Sequence, residues 1–330
     1  MLPDHRPHLS RIPTPMAGLA LAIAALGWCW ENALPCAGYA KLLGALLATP
    51  LLLGVTLKFL RHPKLLWQDL AHPVVGSVVP TLAMGWMVVS HALAQWLPVA
   101  GELLWLTAIA LHLSFLVCFI YHRIPQFRLE HMVPSWFVPP VGIVVADVTF
   151  AGGSLRPLAD GLLMLGLCAY GLLLPAMLYR LIFESDIPAP AKPTLAIMAA
   201  PASLCLAGYL NVAVDPHPLL VALLTGVAIL MTFLIYVAFL HLLRLPFNPG
   251  YAAFTFPMVI GATALYKLAH QMTLWGMAEQ YVSEVRTLAL LELIVASLVV
   301  GYVALRYLHH YQPQRHLKLR KRSTTTAQLA

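Results

Sequence analysis

A proline recurs inside alternate apolar segments of this chain, at Pro15, Pro80, Pro139, Pro201 and Pro257, at intervals of 56 to 65 residues. Such an interval holds two membrane-crossing helices and their loops, so every second helix of a helical array carries a breaker. A proline in a helix leaves a backbone carbonyl without its usual donor. In lipid that is tolerated where the broken helix is buried in protein or borders a water-filled cavity. The pattern therefore predicts an all-α bundle in which alternate helices surround a pore.

The apolar segments are long enough for this. Hydrophobic residues make up 60% of the chain and charged ones 10%, with a mean hydropathy of +0.80, which excludes a soluble single-core domain. A helix needs roughly 20 apolar residues to cross a bilayer, and windows of that size place ten spans: 14–30, 38–60, 73–96, 99–121, 133–152, 158–183, 194–213, 218–243, 250–272 and 285–309. The expected organisation is a short N-terminal segment, 1–13, a ten-helix membrane domain, 14–311, and a basic, disordered tail, 312–330.

Lys and Arg favour the cytoplasmic side of a membrane. With the N-terminus inside, 16 of the 20 basic residues fall in cytoplasmic loops or the tail, and Lys41, Arg156, Lys267 and Arg286 lie on or toward the other side. Both termini are thus expected in the cytoplasm of a cell whose inner membrane holds the protein. The net charge of +7 reads as these topology determinants facing anionic lipid, not as a nucleic-acid surface. Arg6 and Arg11 before an apolar run imitate a signal peptide, but Pro13 and Pro15 predict that the first helix is retained. The five cysteines, Cys29, Cys36, Cys118, Cys168 and Cys205, are scattered and read as small buried hydrophobes.

Odd spans combine their prolines with small residues, as in Pro15-Met16-Ala17-Gly18 and Pro139-Pro140-Val141-Gly142, which lets backbones approach closely or leave a narrow lumen. Even spans are bulkier, and span 8 suits a lipid-facing layer. Pro50 and Pro175 are expected to break spans 2 and 6. Trp28, Trp30, Trp96, Trp136, Tyr121, Tyr179, Tyr251 and Trp275 cluster near span ends as interfacial anchors. Charges inside the hydrocarbon are costly and informative. Asp147 in span 5 and Lys267 in span 9 stand out, with two readings open: an ion pair joining two helices, or an anion-attracting cation beside a permeation path. His112, Glu102 and Glu292 fit packing or interfacial roles.

Span 9 contains Tyr251-Ala252-Ala253-Phe254-Thr255-Phe256-Pro257-Met258, and span 3 opens with His72-Pro73-Val74. With the ten-span pattern, these strings resemble the tellurite-resistance and dicarboxylate transporter family, TehA-like and related to the plant slow-type anion channels. The resemblance implies five helical hairpins, an inner ring of odd helices around a central pore, and a homotrimer with one pore per subunit. It implies small anions as cargo, inorganic or C4-dicarboxylate, and no cofactor. It also makes Phe256 the gate, with Pro15, Gly18, Pro80, Pro139, Gly142, Pro201 and Pro257 shaping the pore. Phe256 and Lys267 are 11 residues apart, about three helical turns, which puts a plug and a cation on one face.

The chain has no P-loop, no G-x-S-x-G and no H-E-x-x-H, so no enzyme is expected. The alternative within transport is a proton-coupled dicarboxylate or sulfite carrier, with Asp147 as its titratable group. A different class, a membrane-embedded redox or cofactor protein, would have to use His91, His112 and His241.

Overall fold

The computed structural model describes residues 8–311, and the described residues hold helices and no strands. Residues 1–7 and the expected basic tail, 312–330, lie outside the described residues. The membrane-scale segments are α1 Met16–Ala33, α2 Tyr39–Arg61, α3 Val75–Ala94, α4 Pro98–Arg123, α5 Pro134–Val148, α6 Arg156–Phe183, α7 Ala189–Val212, α8 Pro218–Leu242, α9 Pro249–Leu274 and α10 Glu279–Tyr311. A short helix, Pro63–Ala71, connects α2 to α3.

Eight of these segments are long and apolar enough to cross a membrane. The other two expected spans, 14–30 and 133–152, fall on α1 and α5. Helix α1 has 18 residues and ends in the polar pair Glu31-Asn32. Segment α5 is shorter, a succession of 3-10 and α turns interrupted around Pro139, Pro140 and Gly142.

Burial separates odd from even. In the most apolar stretch of α3, α7 and α9, 72%, 78% and 83% of residues are buried, against 28% to 39% in α2, α4, α6, α8 and α10. Residues 17–22 of α1 are buried without a break. An apolar helix hidden all round needs protein on every side, whereas one with an exposed apolar face suits lipid. Exposed leucines such as Leu43, Leu46 and Leu47 on α2, and Leu219 and Leu223 on α8, supply such faces.

Segments adjacent in sequence pack together, α1 with α2, α3 with α4, α5 with α6, α7 with α8 and α9 with α10. The odd segments also touch in succession, α1 with α3, α3 with α5, α5 with α7, α7 with α9, and α9 again with α1. Small residues permit this density. A Cβ added to Gly27 of α1 would lie 2.8 Å from the Cα of Gly44 on α2, so the two backbones cross in direct contact.

Four of the five recurring prolines stand at helix starts, and Pro139 lies in the short turn Val138–Val141 of the interrupted segment α5. Pro15 caps α1, Pro80 separates the turn Val75–Val78 from Thr81–Ala94, and Pro201 and Pro257 occupy first-turn positions after 3-10 stretches in α7 and α9. A first-turn proline sacrifices no intrahelical bond. Carbonyls beside the breaks gain side-chain donors: Thr255 Oγ1 donates to Ala252 O at 2.6 Å, Thr194 Oγ1 to Ala191 O at 2.7 Å, and His112 Nε2 to Pro139 O at 2.8 Å. Pro50 and Pro175, expected to break spans 2 and 6, lie instead inside the continuous helices α2 and α6. Neighbouring groups can absorb the single bond that such a proline removes.

Candidate functional site

All five odd segments converge on one cavity of about 880 Å³. Its wall includes Pro15, Gly18 and Leu21 of α1, Thr81 and Met84 of α3, Val138 and Gly142 of α5, Pro201 and Leu204 of α7, and Ala252 and Phe256 of α9. The lining runs back to Thr14, His72, Val133, Pro188 and Asn248, at or just before the starts of the five odd segments, so the cavity occupies the side on which the odd segments begin. There it reaches the exposed residues Arg11, His72, Glu130 and His131.

The expected pore-shaping residues divide into two groups. Pro15, Gly18, Gly142, Pro201 and Pro257 line the cavity. Pro80 and Pro139 are buried behind it, setting the backbone breaks while neighbours such as Thr81 and Val138 face inward. A Cβ on Gly142 would come 2.9 Å from Met84 Sδ, so a side chain there would push the flexible end of Met84 aside.

Phe256 is the first residue of the α-helical part of α9, is 8% exposed and lies in the cavity wall. Phe254, two residues earlier, is fully buried elsewhere, its ring 5.5 Å from that of Phe239 on α8 and 4.8 Å from that of Tyr251. In the cavity wall, Lys58 Nζ donates to Thr14 Oγ1 at 2.8 Å and to Asp69 Oδ2 at 3.3 Å, and Thr14 Oγ1 donates to Asp69. Lys58 is 5% exposed. From the sequence it reads only as one of many cytoplasmic basic residues; the acid that pairs with it sits 11 residues on, in the connecting helix.

At the opposite end of α9 a polar cluster draws on all five odd segments. Lys267 Nζ donates to Asn211 Oδ1 on α7 at 2.7 Å. Asn211 Nδ2 donates to the backbone carbonyls of Asp147 at 2.8 Å and Phe150 at 3.0 Å. The Lys267 ammonium is 5.9 Å from the centroid of the Trp28 ring on α1, which stacks at 4.2 Å on His91 of α3. His91 Nδ1 donates to Thr149 O at 3.0 Å.

The expected ion pair between Asp147 and Lys267 does not form. Lys267 takes a neutral amide as its hydrogen-bond partner, and both carboxylate oxygens of the fully buried Asp147 have no hydrogen-bond partner. Asn211 occupies the linking position, reaching the Asp147 backbone and leaving the side chain out of the contact. Trp136, read as an interfacial anchor, is buried and donates from Nε1 to Pro73 O at 3.1 Å. Glu292, read as a packing residue, is buried with Oε2 unpartnered beside Gly261.

Residues 10–308 match the family model described as voltage-dependent anion channel. The chain belongs to that family. It is 26% identical over 229 residues to an uncharacterized transporter of Methanocaldococcus jannaschii, a stretch covering 61% of this chain and 66% of the relative. A second transporter of that organism matches at 26% over 233 residues, with the same shares. The chain therefore spans 66% of the length of these two relatives, just under two thirds. A tellurite resistance protein TehA homolog of Haemophilus influenzae is 27% identical over 271 residues, covering 77% of this chain and 81% of the relative.

Membership in the voltage-dependent anion channel family and the apolar helices identify a multi-pass membrane protein of the TehA-like kind. The histidines considered for a redox centre sit apart: His91 on Trp28, His112 on the Pro139 carbonyl, and His241 exposed near the end of α8. Asn211 went unnoticed in the sequence because a single amide in an apolar span carries no motif. The one cue is its place as the next-to-last residue of α7, Ala189–Val212, at the same end of the bundle as Lys267.

Proposed function

We propose that the protein carries small anions across the inner membrane of a bacterial cell, through a central pore between its odd segments that Phe256 gates. In this reading ten spans form five hairpins, the odd members make an inner ring, both termini are cytoplasmic and three subunits assemble, each with its own pore. The observation that carries the reading is the cavity to which all five proline-bearing segments contribute and whose wall contains Phe256. Successive contacts among the odd segments and their greater burial support the inner ring.

The chemistry suits permissive passage. The cavity is walled mainly by apolar side chains, so dehydration cost and size are its principal filters. In its wall Lys58 is offset by Asp69, while Lys267 on the far side takes the neutral amide of Asn211 as its hydrogen-bond partner. A cation in a low-dielectric funnel raises the local concentration of anions. Lining prolines and glycines fix the backbone without adding groups that would single out one anion.

One observation favours a second reading, the proton-coupled carrier: Asp147 is a fully buried carboxylate on an odd segment with both oxygens unpartnered. Purified protein in liposomes loaded with chloride, nitrate or malate separates the readings. The channel reading expects flux down the anion gradient that is indifferent to an imposed pH gradient. Uphill accumulation driven by the pH gradient would replace it with the carrier, and absence of any anion flux would remove both.

A further inference from the structure

In the Lys267 cluster, the hydrogen bonds of Asn211 define a role for it. Asn211 uses both N–H groups of its amide on carbonyls of α5 and of the turn beyond it, Asp147 O and Phe150 O. That fixes which way the amide faces, since a carbonyl accepts only from the nitrogen. The oxygen is thereby aimed at Lys267 Nζ, 2.7 Å away. An ammonium has three donors, and among the described residues this is its one hydrogen bond; the centroid of the Trp28 ring lies 5.9 Å away. Lys267 and Asn211 are each half-buried, so the cluster is neither sealed nor loose.

The acid that could have cancelled this charge, Asp147, is held by the same amide through its backbone. We propose that Asn211 is a positioning residue for anion selectivity: it anchors the Lys267 ammonium through a neutral oxygen, so that the positive charge is fixed in place yet remains available to a passing small monovalent anion. The inference rests on the anion-pathway reading. An acid at position 211 would still offer an oxygen to the ammonium and would cancel its field, at the loss of both donors to Asp147 O and Phe150 O. An apolar residue would leave the charge and release the lysine stem, and the loss of a fixed position costs the cation part of its effect at the pathway.

The test is the reversal potential of the purified full-length protein in planar bilayers under a potassium chloride gradient. That quantity reports charge preference and does not move when a variant merely yields fewer open copies. Wild type is expected near the chloride equilibrium potential. Lys267→Met and Asn211→Asp should both lower the preference of chloride over potassium by about tenfold, and Asn211→Ala should lower it part-way. If Asn211→Asp fails to give monodisperse protein, Asn211→Ala decides. A shift in Lys267→Met with wild-type reversal potentials in the Asn211 variants overturns the inference and leaves the pathway intact. Unchanged potentials in all three variants overturn it as well, by removing Lys267 from selectivity. No chloride conductance in wild type would be the failure of the anion-pathway reading itself.

Discussion

Phe256 and Lys267 project from nearly the same face of one α-helix, with Phe256 in the wall of the cavity and Lys267 about 16 Å further along the axis, beyond it. The α-helical part of α9, Phe256–Leu274, runs unbroken between them because Pro257 occupies its first turn, where a missing N–H costs nothing. An apolar ring and a charge placed in line on one rigid element give the pathway its two proposed functions, closure and charge preference, at fixed separation.

Asp147 and Lys267 should behave independently. Their side chains form no ion pair, and Asn211 contacts the backbone of Asp147 only. In a double-mutant cycle of Asp147→Asn and Lys267→Met, read by thermal unfolding in detergent, the coupling is expected below about 0.5 kcal/mol. A coupling near 2 kcal/mol would restore the direct pair.

The α1–α2 crossing should be intolerant of volume. Gly27→Leu places a side chain where a Cβ alone would already meet Gly44 Cα at 2.8 Å, and overpacking of this kind costs about 1–3 kcal/mol. The expected result is a lowered midpoint of thermal unfolding. Gly226→Leu on α8, where nothing lies within 4 Å of an added Cβ, serves as the control and should leave the midpoint unchanged.

Lys58 depends on Asp69. Asp69→Ala would leave an almost fully buried ammonium with only Thr14 as partner. Breaking a deeply buried pair costs several kcal/mol, but the Asp69 side chain is 25% exposed, so screening reduces the expected loss to about 1–2 kcal/mol. Lys58→Met with Asp69→Asn should recover most of it. A double variant less stable than Asp69→Ala would show that the pair does more than satisfy its own charges.

Much of this architecture is legible in the residues. The proline period picked out the segments that are now the most buried, because a backbone break needs protein around it, and Leu-rich runs such as α8 marked the exposed layer. Pro50 and Pro175 misled for the same reason in reverse: a proline reports a missing donor, and continuous helices tolerate one. The partners of charged groups were hidden. Lys267–Asn211 and Thr14–Lys58–Asp69 join residues on different helices, and which pairs meet depends on the rotation of each helix about its axis. Hydrophobic periodicity usually supplies that rotation, but helices buried all round, such as α1 and α9, have no polar face from which to read it.

The central claim, that Phe256 closes the pathway, is tested most directly by chloride efflux from liposomes containing Phe256→Ala, with Phe254→Ala as its partner. Phe256 belongs to the cavity wall, whereas Phe254 packs on Phe239 and Tyr251. Removing the Phe256 ring leaves space for water in an apolar constriction and lowers the barrier to an anion. Efflux is expected to rise at least about tenfold, the equivalent of roughly 1.4 kcal/mol of barrier, while Phe254→Ala changes stability more than flux. Unchanged efflux from well-folded Phe256→Ala, together with an open pathway in Phe254→Ala, would contradict the account and move the gate to another face of α9.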